Sequence, residues 1–165
     1  MNNPILAITQ QEEVDSIWFG GGLIIFKVTS EQSGNALVLF EHAASRGKTT
    51  PLHLHERHDE TGYVLEGELL LYIDGVEKRA GPGDCIFIPR GKPHALLVTS
   101  ETQRSLWVVT PGGAMETFFR QAGEVASSQT LPPPNIDFAR LRAVGEGTGA
   151  MKVIGPPPFP AAAIG

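Results

Sequence analysis

The sequence GKTTPLHLHERHDETGYVLEG, residues 47–67, concentrates side chains that bind metal ions. Side chains alternate between the two faces of a strand, so a strand over residues 50–55 directs His53 and His55 the same way. The loop of residues 56–59 then reverses the chain, and Glu60, beside the next apolar run, returns a carboxylate to that face. Two imidazoles and a carboxylate that converge on one point predict a divalent-metal site.

A second segment, GDCIFIPRGKPHALLV at residues 83–98, offers a fourth ligand. A strand begins after Gly83, a turn rich in proline and glycine follows, and His94 opens the next strand. Three imidazoles and one carboxylate hold too many nitrogen donors for magnesium or calcium, and no thiolate suggests structural zinc. Manganese, iron, cobalt, nickel, copper and zinc all stay candidates. His58 could replace one of these ligands, but a solvent-facing position is expected for it.

Two spaced sets of residues resemble the two sequence motifs of the cupin superfamily. The first set is Gly47, His53-x-His55, Glu60 and Gly67, and the second is Gly83, Pro89-x-Gly91 and His94. The family pattern often ends in asparagine where Val98 stands here, at a position that does not bind metal. The resemblance implies an all-β double-stranded β-helix or jelly-roll barrel. It also implies one divalent transition metal bound by His53, His55, Glu60 and His94, and a homodimer.

Composition bounds the class of protein. The chain has 165 residues, a net charge of -5 and one cysteine, Cys85, which we expect to be an ordinary buried thiol in a reducing compartment. No basic cluster indicates nucleic acid, and no apolar run is long enough to cross a membrane. The sequence therefore predicts a soluble cytoplasmic protein that binds neither nucleic acid nor a membrane.

Short strands joined by turns fill the first two thirds of the chain, which predicts a sandwich or barrel. Asp74-Gly75 is the strongest hairpin signal. Met115, Phe118, Phe119 and Ala122 recur at helical spacing, with Gly123 as the stop, and predict a short helix that plugs the barrel. We expect an N-terminal arm (1–16), a barrel with its closing helix (17–123) and an extension rich in proline and glycine (124–165). A weak helix is predicted over residues 137–144.

The barrel interior is expected to be mostly apolar. Alternation from Glu60 turns Gly62 and Val64 inward, and Gly62 leaves space near the metal; alternation from His94 does the same for Leu96 and Val98. No lysine or arginine is directed inside on this pattern, and His42 is expected to be solvated with no role. The interior therefore predicts an apolar or aromatic small-molecule substrate rather than a strongly anionic one.

Three functions fit these features. Pro111-Gly-Gly followed by Phe118-Phe119 resembles the segment after the barrel in bacterial quercetin (flavonol) dioxygenases. That resemblance implies that Glu60 takes the flavonol hydroxyl proton and that dioxygen opens the ring with loss of carbon monoxide. A cupin isomerase, lyase or other small oxygenase acting on a non-flavonoid metabolite is the first alternative. A non-catalytic module that binds a small ligand is the second.

Overall fold

The computed structural model describes Ile5, Ala7, Ile8, Gln10 and residues 15–160. Within those residues the chain forms twelve strands and two helices. The strands are β1 (Ser16–Phe19), β2 (Gly22–Val28), β3 (Val38–Ser45), β4 (Leu52–Leu54), β5 (Asp59–Glu66), β6 (Leu69–Ile73), β7 (Val76–Ala80), β8 (Cys85–Ile88), β9 (His94–Val98), β10 (Thr102–Thr110), β11 (Glu124–Val125) and β12 (Lys152–Gly155). The helices are α1 (Gly113–Ala122) and α2 (Phe138–Thr148).

Two antiparallel sheets build the body of the protein. The seven-stranded sheet runs β11-β1-β2-β3-β10-β5-β8, and the five-stranded sheet runs β12-β4-β9-β6-β7. Strands β3 and β10 bury every second side chain, which is the pattern of strands with one face on a core. Apolar side chains from both sheets meet in one cluster, with Val64, Val98 and Val109 fully buried. The sheets therefore pack face to face around a shared interior.

The tight turns follow the local sequence. Asp74 and Gly75 join β6 to β7 with φ angles of 51° and 87°, as the hairpin signal predicted. Gly20 and Gly21 join β1 to β2 with φ angles of 53° and 76°. Both pairs lie in the left-handed region that a two-residue hairpin of this type requires. Glycine adopts it without steric cost.

Helix α1 confirms the predicted short helix and its stop at Gly123. Met115, Phe118 and Phe119 are buried against the barrel, and the Phe119 ring lies edge-on to Phe19 and Phe40. These aromatic contacts close one end of the interior.

The extension after residue 123 is more ordered than its composition suggests. The predicted weak helix exists and is longer, as α2, with Asp137 capping it through a bond from the Arg140 amide. Strand β12 then pairs with β4, the short strand that carries His53. The extension therefore belongs to the five-stranded sheet and lies beside the predicted ligands.

Several expectations need correction. Cys85 is exposed, because β8 turns Ile86 and Ile88 inward and Cys85 and Phe87 outward. Strands β1, β11 and β12 were not predicted: each is short, and β11 and β12 depend on partner strands far away in the sequence. Most of the predicted N-terminal arm, residues 1–16, lies outside the described residues.

Candidate metal centre

The two neighbouring strands β4 and β9 bring three histidines together. His53 in β4 pairs directly with His94 in β9, and His55 follows on the same face as His53. All three side chains are buried. One ring nitrogen from each lies within 4.8 Å of the others, so the group can hold a metal ion. The spacing in the sequence therefore predicted the convergence correctly.

Glu60 faces these histidines from the opposite sheet, at the start of β5. Its Oε1 lies 3.5 Å from Nε2 of His55, and its Oε2 lies 3.1 Å from Nε2 of His94. The carboxylate thus stands beside two of the three imidazoles. Glu60 therefore lies beside the three-histidine group but is not a member of it.

Backbone carbonyl groups orient the three rings. Nδ1 of His53 bonds the carbonyl of Pro51 at 2.8 Å, and Nδ1 of His94 bonds that of Lys92 at 2.9 Å. Nδ1 of His55 bonds the carbonyl of Ala150 at 2.6 Å. A carbonyl only accepts hydrogen bonds, so each Nδ1 must donate, and in the neutral ring this leaves Nε2 with its lone pair free.

The free nitrogens show that these residues fit a metal. Nε2 of His55 and Nε2 of His94 are buried without a hydrogen-bond partner in the described part of the chain. Each of these nitrogens faces a carboxylate oxygen of Glu60, so two acceptors would oppose each other unless a proton or a metal ion lies between them. Histidines that donate through Nδ1 to a carbonyl are the usual metal ligands in proteins.

The charges at the site favour metal binding. Burial, and then nearby His94 and His55, lower the pKa of His53 well below its usual range, so its imidazole stays neutral. Burial opposes ionisation of Glu60, but His55 and His94 together outweigh it and hold the carboxyl pKa well below its usual range, while Glu60 in turn raises the pKa of His55. A neutral imidazole and an ionised carboxylate are the forms that bind metal.

A cavity of about 90 Å³ opens at these residues. Its walls are mainly apolar, as predicted, and include Phe19, Phe118 and Trp107. Gly62 does not leave space near the metal as expected, because the Trp107 ring occupies it: a Cβ on Gly62 would lie 2.8 Å from that ring. Leu141 and Met151, both from the C-terminal extension, complete the lining.

Three polar residues differ from their predicted positions. Lys48 lines the cavity and is only 4% exposed, although no basic side chain was expected inside. His42, predicted to be solvated, is 6% exposed and also lines the cavity. His58, predicted to face solvent, is 3% exposed, and its Nδ1 bonds the Pro111 carbonyl at 2.7 Å. His58 is not a member of the three-histidine group.

The sequence pattern indicates the buried position of only one of these three residues, His42. Strand β3 continues past His42 to Ser45, and alternation from Phe40 would have turned His42 inward. For Lys48 the alternation fails because Pro51 interrupts the strand before β4 begins. Burial of His58 depends on Pro111, more than 50 residues away, which no local pattern reveals.

Comparison with known proteins places the chain in a family. The family described as the cupin domain matches residues 40–124, just over half of the chain. This protein is a cupin. The matched region contains the three-histidine group and Glu60, and the predicted jelly-roll fold class is confirmed by the solved cupin structures to which the chain is similar.

Two curated relatives have named activities. The cupin is 26% identical over 136 residues to quercetin 2,3-dioxygenase of Bacillus subtilis (strain 168), covering 81% of this chain and 40% of that protein. It is 29% identical over 96 residues to oxalate oxidase GF-3.8 of Triticum aestivum, covering 53% of this chain and 43% of that protein. The chain thus spans less than half the length of these relatives.

Solved structures agree on the fold. KdgF from Halomonas sp. has a TM-score of 0.59 and 22% identity, covering 66% of this cupin and 96% of that chain. The nucleoside dehydratase Pac13 has a TM-score of 0.56 and 17% identity, covering 67% and 87%. In addition, no helix among the described residues is long and apolar enough to span a membrane.

Proposed function

We propose that this cupin is a metal-dependent dioxygenase that acts on a small substrate with an acidic hydroxyl group, as in flavonol cleavage. The observation that carries the proposal is the ionised Glu60 carboxylate beside two of three metal-competent histidines in a mainly apolar cavity. The similarity to quercetin 2,3-dioxygenase over 81% of the chain supports it.

The metal would be held by Nε2 of His53, His55 and His94, with Glu60 beside them as the fourth ligand. When bound, a divalent transition metal supplies a Lewis acid and, for redox-active ions, a site for dioxygen chemistry. The protein contributes the fixed ring orientations, because each Nδ1 is held by a backbone carbonyl. Those hydrogen bonds keep the ligands ready before the ion arrives.

Glu60 is the proposed proton acceptor. Its carboxylate is ionised and largely buried, so a substrate hydroxyl group that reaches it finds a base in a medium of low dielectric. Transfer of the hydroxyl proton to Glu60 would leave the substrate as an electron-rich anion for attack by dioxygen.

The cavity volume supports a second candidate. A volume of about 90 Å³ is below the ~150 Å³ that accommodates a single benzene ring, and well below the ~300 Å³ at which pockets for drug-sized ligands begin. A three-ring flavonol therefore requires apolar side chains such as Leu141 to move aside. A compact, non-flavonoid substrate for an oxygenase, isomerase or lyase requires no such movement.

Dioxygen uptake separates the candidates. Protein reconstituted in turn with manganese, iron, cobalt and nickel is offered quercetin and other flavonols in an oxygen electrode. We expect uptake with at least one metal, and we expect Glu60→Gln to retain metal but lose turnover. The matched control Glu77→Gln, on the exposed strand β7, should keep full activity.

Two outcomes would contradict the assignment. Normal quercetin oxidation by Glu60→Gln would remove the proton-acceptor role. Stoichiometric metal binding without uptake would favour the isomerase or lyase, or the non-catalytic ligand-binding module. A homodimer, a cytoplasmic location and the domain boundaries stay predictions, and light scattering coupled to gel filtration tests the first of them.

A further inference from the structure

The cavity has a second polar region besides the metal centre. Lys48 lies in the turn before β4, where its amide donates to Ser45 and its carbonyl accepts from Val98 at the end of β9. These backbone hydrogen bonds hold Lys48 beside the start of β4 and the end of β9. Its side chain lines the same cavity as the three histidines and Glu60.

The Lys48 ammonium group has no direct partner in the part of the chain that the structure describes. Neither a hydrogen bond nor an ion pair reaches it there, although the residue is 4% exposed. A buried charge is normally paired, because burial without a partner is costly. The cation is therefore placed where an anionic group from outside the protein would satisfy it.

The residues around Lys48 do not supply that group. Glu60 interacts with Lys48 electrostatically but is not close enough for an ion pair, since its oxygens lie against His55 and His94. His42, which also lines the cavity, has a buried Nε2 without a hydrogen-bond partner among the described residues. Lys48 and His42 are therefore two further polar residues in the cavity that contains the candidate metal centre.

We infer that Lys48 binds an anionic oxygen, a carboxylate or enolate, at one end of a compact substrate whose other end reaches the metal centre. The inference deepens the proposed function and rests on its assignment of this cavity as the substrate site. It also reverses the expectation, made from the sequence, that the interior disfavours anions.

The protonation state of Lys48 is compatible with this role. Burial lowers the pKa of Lys48 to about 8, while the charge of Glu60 acts in the opposite direction. In most molecules the Lys48 side chain is therefore protonated and positively charged near neutral pH. An entering anion restores full protonation because it supplies the missing opposite charge.

Calorimetric titration with two matched probes tests the inference on the full chain loaded with zinc, which is redox-inert and prevents turnover. Malonate offers one carboxylate to the metal and one to Lys48, whereas monomethyl malonate lacks the second charge. A charge-assisted hydrogen bond supports about tenfold or greater preference for malonate in the wild type. Lys48→Met should reduce that ratio to about one.

Two further variants keep the test specific. Lys78→Met on the exposed strand β7 removes a charge that does not line the cavity and should leave the ratio unchanged. Lys48→Arg keeps the charge and should retain a preference for malonate, which also covers the case in which Lys48→Met fails to fold. An unchanged ratio in Lys48→Met, loss of the preference in Lys48→Arg, or a wild type that does not prefer malonate would each overturn the inference.

The inference and the proposed function can fail separately. Absence of dioxygen uptake together with a ratio that collapses in Lys48→Met removes the dioxygenase and keeps the anion site. Flavonol oxidation together with an unchanged ratio keeps the dioxygenase and removes the anion site.

Discussion

His42 should make the protein sensitive to acid. Burial, and then the adjacent charge of Lys48, lower the pKa of His42 from 6.5 to about 3. In the unfolded chain the imidazole regains its ordinary pKa. Below pH 6.5 the unfolded state therefore binds a proton at His42 that the folded state does not bind. The free energy of unfolding decreases as the pH is lowered from 6.5 to about 3.

The size of the effect follows from the two pKa values. Between about pH 7.5 and about pH 4.5, two of the roughly 3.5 pH units of the shift are traversed, and each unit is worth about 1.4 kcal/mol. His42 alone should thus remove about 2.7 kcal/mol from the free energy of unfolding. That is a large part of the ~5–15 kcal/mol by which domains are stable.

Urea unfolding at the two pH values, in excess chelator, measures the effect. The wild type should lose about 2.7 kcal/mol more on acidification than His42→Leu, which has no titrating group at this position. Phe40→Leu is a core substitution in the same strand and is the control. Relative to the wild type, it should lower the free energy of unfolding by the same amount at both pH values. Parallel pH profiles for the wild type and His42→Leu would refute the reasoning.

Three other predictions follow from single contacts. Gly62→Ala should cost about 1–3 kcal/mol and shift the fluorescence of Trp107, because the new Cβ would collide with that ring; unchanged stability in urea would contradict it. Cys85 should react with a thiol reagent in the folded protein as fast as in urea, since it is exposed, and protection would contradict the orientation of β8. Leu141→Ala should cost about 2–5 kcal/mol yet strengthen flavonol binding in a fluorescence titration, because it widens the cavity; unchanged affinity would show that Leu141 does not limit entry.

The convergence of the three histidines could be predicted because much of their geometry is local. His53 and His55 share a face by strand alternation alone, and the turn before His94 places it at the start of β9. The pairing of His53 with His94 then needs only that these two strands be neighbours. A motif of this kind can be recognised in a sequence because a few short-range rules determine its geometry.

The rest of the cavity could not be predicted because it depends on long-range packing. Lys48 enters the cavity only because Pro51 breaks the alternation and the preceding turn docks on β9. Cys85 and Ile86 are both apolar enough for either face, so the strand CIFI left its orientation open. Leu141 and Met151 reach the cavity from an extension whose composition does not reveal where it packs.

The Ala150 carbonyl joins metal binding to the folding of the C-terminal extension. It holds the His55 ring from a position that α2 and β12 flank, and β12 pairs with β4 next to His53. A metal that needs His55 in this orientation favours the docked extension over an undocked one. Ligand present at about 100 times its dissociation constant stabilises the form that binds it by about 2.7 kcal/mol. If the docked extension is that form, metal should slow amide hydrogen exchange in residues 150–155 as well as at the histidines. Metal-induced protection confined to β4 and β9 would show instead that the extension merely covers a site that the barrel completes alone.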